Sequence, residues 1–148
     1  MIGEGLVKMA HKVTAIASDL DGTLLQNGAQ SLDAEIFELI EALRQRGIYF
    51  FAASGRQYAN LRRLFAPVAD EIGYVCENGC VSYLEGKLVT AEHMAEDLGK
   101  EIIADIQAHE NLEVMVSGIH TAYLQPKDPG FADYMKSVIR YNITVVDD

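Results

Sequence analysis

The chain has 148 residues, 49% apolar and 23% charged, a balance that suits one folded domain with a real core and excludes a disordered segment. A net charge of −10 argues against nucleic acid or an anionic membrane as a partner, and any phosphate ligand then needs a local source of positive potential. No apolar run reaches membrane-spanning length, MIGEGLVKMAHK has no signal-peptide pattern, and two cysteines are too few for a disulfide framework, so the expected location is the cytoplasm.

The first element is VTAIAS, Val13 to Ser18, a short apolar run that reads as a strand buried on both faces. A loop from Asp19 to Gln30 follows, and then a helix with Ser31 as its cap and Asp33 and Glu35 in its first turn. Ile36, Leu39, Ile40 and Leu43 recur at helical spacing, and Gly47 closes the helix. IYFFAA, Ile48 to Ala53, is a second buried strand. SGR then opens a helix through Tyr58, Leu61 and Leu64 that ends near Pro67, and Ile72 to Cys76 is a third strand. The order β-α-β-α-β predicts a parallel α/β sheet of the doubly wound kind.

After Gly79 the texture changes. Val81 to Leu84 and Lys87 to Thr90 flank Glu85-Gly86 as a hairpin. Met94, Leu98, Ile102 and Ile106 mark one face of an otherwise acidic helix. The runs LEVMVSG and HTAYLQ read as strands, and a helix spans about Phe131 to Ile139. The division falls near Gly79, giving residues 1–79 as the core and residues 80–148 as an α+β second unit. Tyr123, Phe131 and Tyr134 are expected to pack within that unit, and Cys76 and Cys80 to be two reduced thiols.

In a parallel sheet the ligand site lies beyond the carboxyl ends of the strands. Asp19 and Asp21 follow the first strand and Ser54 follows the second, so they are expected on one edge. Asp19, ionised without help at neutral pH, can attack phosphorus and form an aspartyl-phosphate. Asp21 can protonate the leaving alkoxide and later deprotonate the attacking water, provided burial and its neighbour's charge favour a proton on it. Gly22 leaves the loop backbone of Leu20 to Gly22 open to a phosphate, and Ser54 with the neighbouring Gly55 N–H can hold another oxygen. Mg²⁺ fits such an oxygen-only site and neutralises phosphoryl charge.

A bare D-x-D or SGR is common in loops and caps. The whole constellation is more specific: strand, DLDGTLL, helix, strand, SGR. It resembles the haloacid dehalogenase (HAD) superfamily of phosphohydrolases, with DLDGTLL matching the first motif and the run ending at Ser54 the second. The resemblance implies Asp19 as nucleophile and Asp21 as general acid/base, with Mg²⁺ held by the Asp19 carboxylate and the Asp21 backbone carbonyl. Ser54 would orient the phosphoryl group. SGR, ENG at Glu77-Asn78-Gly79 and the segment beyond resemble the Cof-like sugar-phosphatase branch with its cap domain. That likeness implies that Arg56 and Asn78 border a small phosphorylated metabolite.

The third-motif lysine and the GDxxND-like acidic cluster of that family have no counterpart here, so the chain reads as the front half of a longer protein and a poor phosphatase on its own. Three core strands also leave an uncovered sheet edge open to self-association. The alternatives are a non-catalytic phosphate-binding or assembly fragment, and a phospho-receiver signalling domain. The receiver requires an aspartate at the end of the third strand, where Cys76-Glu77-Asn78 stands.

Overall fold

A computed structural model describes residues 12–147. The first sheet begins with three parallel strands: β1 (Ala15–Asp19), β2 (Tyr49–Ala53) and β3 (Gly73–Cys76). They are joined by helices α1 (Ala34–Gln45) and α2 (Tyr58–Leu64). A 3-10 turn at Ala66–Val68, with Pro67 inside it, follows α2. The strands lie in the order β1-β2-β3, and residues of both helices join one core: Ile40 of α1 and Leu61 of α2 pack with Phe50, Phe65 and Tyr74. Right-handed crossovers without a reversal of strand order place successive helices on the same face, which accounts for the single core.

Two local expectations change. The cap of α1 is Asp33 rather than Ser31. Asp33 is extended at ψ 146°, and its carbonyl accepts the first helical bond, from the Ile36 N–H at 3.0 Å. The strand β1 is not buried on both faces: Ala15, Ile16, Ala17 and Asp19 are exposed. Among the described residues it pairs with β2 alone and so forms an edge of the sheet, without the second neighbour that full burial requires.

The hairpin is formed by β4 (Val81–Leu84) and β5 (Lys87–Ala91). Its two-residue turn takes left-handed backbone at both Glu85 (φ 50°) and Gly86 (φ 72°), the pattern of a type I′ turn. The hairpin continues the first sheet past Gly79. β4 pairs antiparallel with β3, making five strands in the order β1-β2-β3-β4-β5, and Tyr83 stacks on Tyr58 of α2 at 3.7 Å between centroids. The hairpin therefore belongs to the first sheet, and the two sheets part after Ala91.

Beyond it come α3 (Glu96–Gln107), β6 (Met115–Ser117), β7 (Ala122–Leu124), α4 (Pro129–Ser137) and β8 (Ile143–Val145). Strands β6, β7 and β8 make a second sheet, antiparallel then parallel. Ala122 and Leu124 of β7 and Ala132 and Met135 of α4 are buried here, apart from the main core. Tyr123 lies between two buried residues of β7 and so points to the opposite face, where it is exposed; Tyr134 is exposed too, against the expectation of packing. The apolar face of α3 is likewise open, with Leu98 and Ile102 exposed, as is Met94 just before the helix. Among the described residues no helix is long and apolar enough to cross a membrane.

The second unit is fastened to α2 by polar side chains. Gln57 and Asn60 are buried, at 5% and 7% exposure. Gln57 Nε2 donates to the Asn142 carbonyl at 3.1 Å, and its Oε1 accepts the Asn142 N–H at 2.7 Å. Asn60 Nδ2 donates to the carbonyls of Ile139 (3.0 Å) and Arg140 (3.4 Å), and Arg63 also donates to the Arg140 carbonyl.

Candidate active site

Register fixes the site's floor. Asp19 is opposite Ala53, and Ala53 opposite Val75, so the carboxyl ends of the three parallel strands are level. Ser54, one residue past β2, donates its N–H to the Val75 carbonyl at 2.9 Å. Asp19, Ser54 and the Cys76–Asn78 segment therefore share one edge, as the strand order predicts. After Asp19 the chain folds into a tight loop: the Leu20 carbonyl accepts the N–H groups of Thr23 (3.1 Å) and Leu25 (2.7 Å), and the Leu20 side chain is fully buried. That anchor holds Asp19 and Asp21 at the surface.

The Asp19 carboxylate is exposed and accepts the Thr23 hydroxyl at 3.2 Å. Ser54 Oγ accepts the Arg56 N–H at 3.3 Å, which leaves its own O–H to donate elsewhere. The Gly22 N–H donates to the Leu25 carbonyl at 2.9 Å. That bond closes this small loop.

Arg56 reaches back across 35 residues of sequence to Asp21. Nε donates to Oδ2 at 3.1 Å and Nη2 to Oδ1 at 2.6 Å, a fork on both carboxylate oxygens. The reading of Asp21 as a proton carrier supposes burial, but its side chain is 58% exposed and held in this ion pair.

Gly55 lies close against the Asn78 side chain. A Cβ there would stand 2.7 Å from Asn78 Oδ1, so the SGR and ENG segments touch at this point. The Glu77 N–H donates to the Arg56 carbonyl at 3.2 Å, and both Glu77 (φ 49°) and Asn78 (φ 55°) are in the left-handed region that bends the chain under the site. Burial pushes the Glu77 carboxyl above the usual carboxylate range, with the adjacent Ser117 of the second sheet acting the other way. Burial also raises the Tyr141 phenol, reinforced by the negative charge of Glu77 and opposed by Arg56. Glu77 and Tyr141 thus belong to the site's surroundings, and the sequence reading assigns neither of them a place there. Cys76, buried, has its thiol pushed up to about 12 and is chemically quiet; Cys80 is exposed.

The donors fit a hard cation in kind. Asp19 offers carboxylate oxygens and Asp21 a backbone carbonyl, with no nitrogen or sulfur beside them in the motif. Among the described residues no group of three or more His, Cys, Asp or Glu gathers.

Comparison with known proteins adds an independent line. The family model for haloacid dehalogenase-like hydrolases matches residues 16–146. The 5-amino-6-(5-phospho-D-ribitylamino)uracil phosphatase YbjI of Escherichia coli is 30% identical over 126 residues, covering 85% of this chain and 45% of its own. Phosphoglycolate phosphatase of Sulfolobus acidocaldarius is 27% identical over 96 residues, covering 64% of this chain and 41% of its own. Among solved structures, a protein from Eubacterium rectale superposes with a TM-score of 0.80 at 25% identity, over 92% of this chain and 52% of that one. The HAD subclass IIB sugar phosphatase BT4131 superposes with a TM-score of 0.72 at 21% identity, over 90% and 52% respectively, a likeness of fold. The chain spans about half the length of these relatives.

Proposed function

The chain belongs to the haloacid dehalogenase-like hydrolases, and on that premise we propose that it acts on small phosphomonoesters through an aspartyl-phosphate on Asp19. The observation that carries this reading is the level ending of β1 and β2, which sets Asp19 beside Ser54 with Asp21 two residues further on. An Asp19 oxygen attacks phosphorus and the ester oxygen leaves, taking a proton from Asp21. Water then attacks the acyl phosphate and gives a proton back to Asp21, releasing phosphate and restoring Asp19. Ser54 donates its hydroxyl to a phosphoryl oxygen. Mg²⁺, held by the Asp19 carboxylate and the Asp21 carbonyl, would neutralise charge on the transferring group.

Arg56 has a double place in this scheme. Its fork occupies both Asp21 carboxylate oxygens, and an arriving phosphate offers Arg56 a rival bidentate partner. Exchange of partners frees Asp21 at the moment that the substrate is bound. Sugar phosphates are the first substrate class to try, a choice supported by relatives named as phosphatases of small phosphorylated metabolites. The cytoplasm is the proposed place of action.

A covalent readout reports on Asp19 itself and does not depend on the rate of turnover. The direct test is therefore covalent: the chain is incubated with Mg²⁺ and p-nitrophenyl phosphate, quenched in acid and mapped by mass spectrometry. A phosphoryl group on Asp19, absent in Asp19→Asn, is the expected result. Release of p-nitrophenol that survives Asp19→Asn would overturn the assignment.

A further inference from the structure

Three of the chain's six arginines meet at one cavity. Arg56, Arg63 and Arg140 line a space of about 250 Å³ between the loop at residues 30–32, α2 and the turn after α4. No Asp or Glu lines it, in a chain whose net charge is −10. Arg56 is paired with Asp21, but Arg63 and Arg140 have no carboxylate within 4.0 Å among the described residues.

Polar groups around the cavity hold it open instead of neutralising it. Asn60 accepts from Arg56 Nη1 at 3.3 Å and donates to the Ile139 and Arg140 carbonyls, tying two of the arginine-bearing segments together. Arg63 donates to the same Arg140 carbonyl. Arg140 itself stands at φ 61°, in left-handed backbone that non-glycine residues adopt sparingly. Arg63 and Arg140 are exposed and Arg56 is half-buried, so solvent screens their mutual repulsion, and all three remain open to attract a negatively charged occupant.

We propose that this cavity is an oxyanion site that takes a phosphate or carboxylate group. The group is either the far end of the substrate whose phosphoryl lies at Asp19, or a separate free anion. Only the first source rests on the function proposed above. Arg56 joins the two places, since it both lines the cavity and grips Asp21.

Calorimetric titration at low ionic strength tests the proposal without any turnover, using inorganic phosphate as the first probe. Arg140→Gln is the main variant, because it keeps the backbone carbonyl that Arg63 and Asn60 use; Arg63→Gln is the second, and thermal melting checks that both fold. Phosphate affinity is expected to fall at least tenfold in each, about 1.4 kcal/mol. Unchanged affinity in both overturns the cavity site. If Ser54→Ala alone then weakens binding, the catalytic reading stands while this one fails.

Methylphosphonate, phosphonoacetate, 3-phosphonopropionate and 4-phosphonobutyrate separate the sources. A tenfold gain for one of the two-headed probes over methylphosphonate, lost in Arg140→Gln, assigns the anion to the substrate. No gain, with phosphate binding still dependent on Arg140, assigns it to a free anion.

Discussion

Gln57→Ala removes a two-way bond between the units and leaves everything else in place. The Gln57 backbone carbonyl still accepts from the N–H groups of Asn60 (3.0 Å) and Leu61 (3.1 Å), so the start of α2 is kept. Lost are the 2.7 Å bond from the Asn142 N–H and the 3.1 Å bond to the Asn142 carbonyl. At about 1 kcal/mol net for each bond, the loss is about 2 kcal/mol. Asn142 is exposed, so water re-satisfies it and the larger penalty for an orphaned buried group does not apply. Native-state hydrogen exchange reads the change locally: the Asn142 amide should exchange roughly 30-fold faster, while amides of β3 change little. Gln57→Glu separates the two bonds, because it keeps the acceptor for the Asn142 N–H and loses the donor to the carbonyl. An unchanged Asn142 amide, or an equal acceleration in β3, would refute the idea that this side chain fastens the units.

Glu77→Gln should raise the melting temperature at neutral pH and lose that advantage on acidification. Burial raises the folded-state pKa of Glu77 above 4.5, so its ionisation destabilises the fold. The stability tied to its protonated form is complete below about 4.5 and is lost as pH rises through the folded value; a melting difference that grows towards low pH would contradict this. Under native conditions a disulfide reagent should modify Cys80 and leave Cys76 untouched until the chain unfolds, since one thiol is exposed and the other is buried and pushed up to about 12. Thiol counting by absorbance, with and without denaturant, settles that point.

Much of the first sheet was legible because its signals are local. Apolar runs, Gly47 after α1 and Glu85-Gly86 in the hairpin each act within a few residues, and the edge shared by Asp19 and Ser54 follows from strand order alone. What was less legible concerns partners distant in sequence. VTAIAS has the same composition whether or not a second strand covers it, so its exposure at the sheet edge could not be read from it. The hairpin's allegiance depends on Tyr83 stacking against Tyr58, 25 residues earlier, and the Arg56 fork on Asp21 spans 35. Gln57 and Asn60 look like ordinary polar positions of a short helix until residues 139–142 arrive to use them.

The local positive potential that a phosphate ligand needs in so acidic a chain is a matter of position. Backbone N–H groups are one expected source of it, and the Gly22 amide donates to the Leu25 carbonyl. Side chains supply charge as well: Arg56 on Asp21, with Arg63 and Arg140 at the cavity beside it. Half of the chain's arginines thus stand within reach of one cleft, while acidic residues spread over surfaces such as α3. The mean charge governs encounters at a distance and keeps polyanions away; the local arrangement governs what is held once a small anion arrives. The segment at residues 139–142 contributes both Arg140 and the acceptors for Gln57 and Asn60, so the bonds that seat the second unit also complete the positive cavity. Seating and anion binding are then linked: what loosens the first weakens the second, and an anion in the cavity favours the seated arrangement.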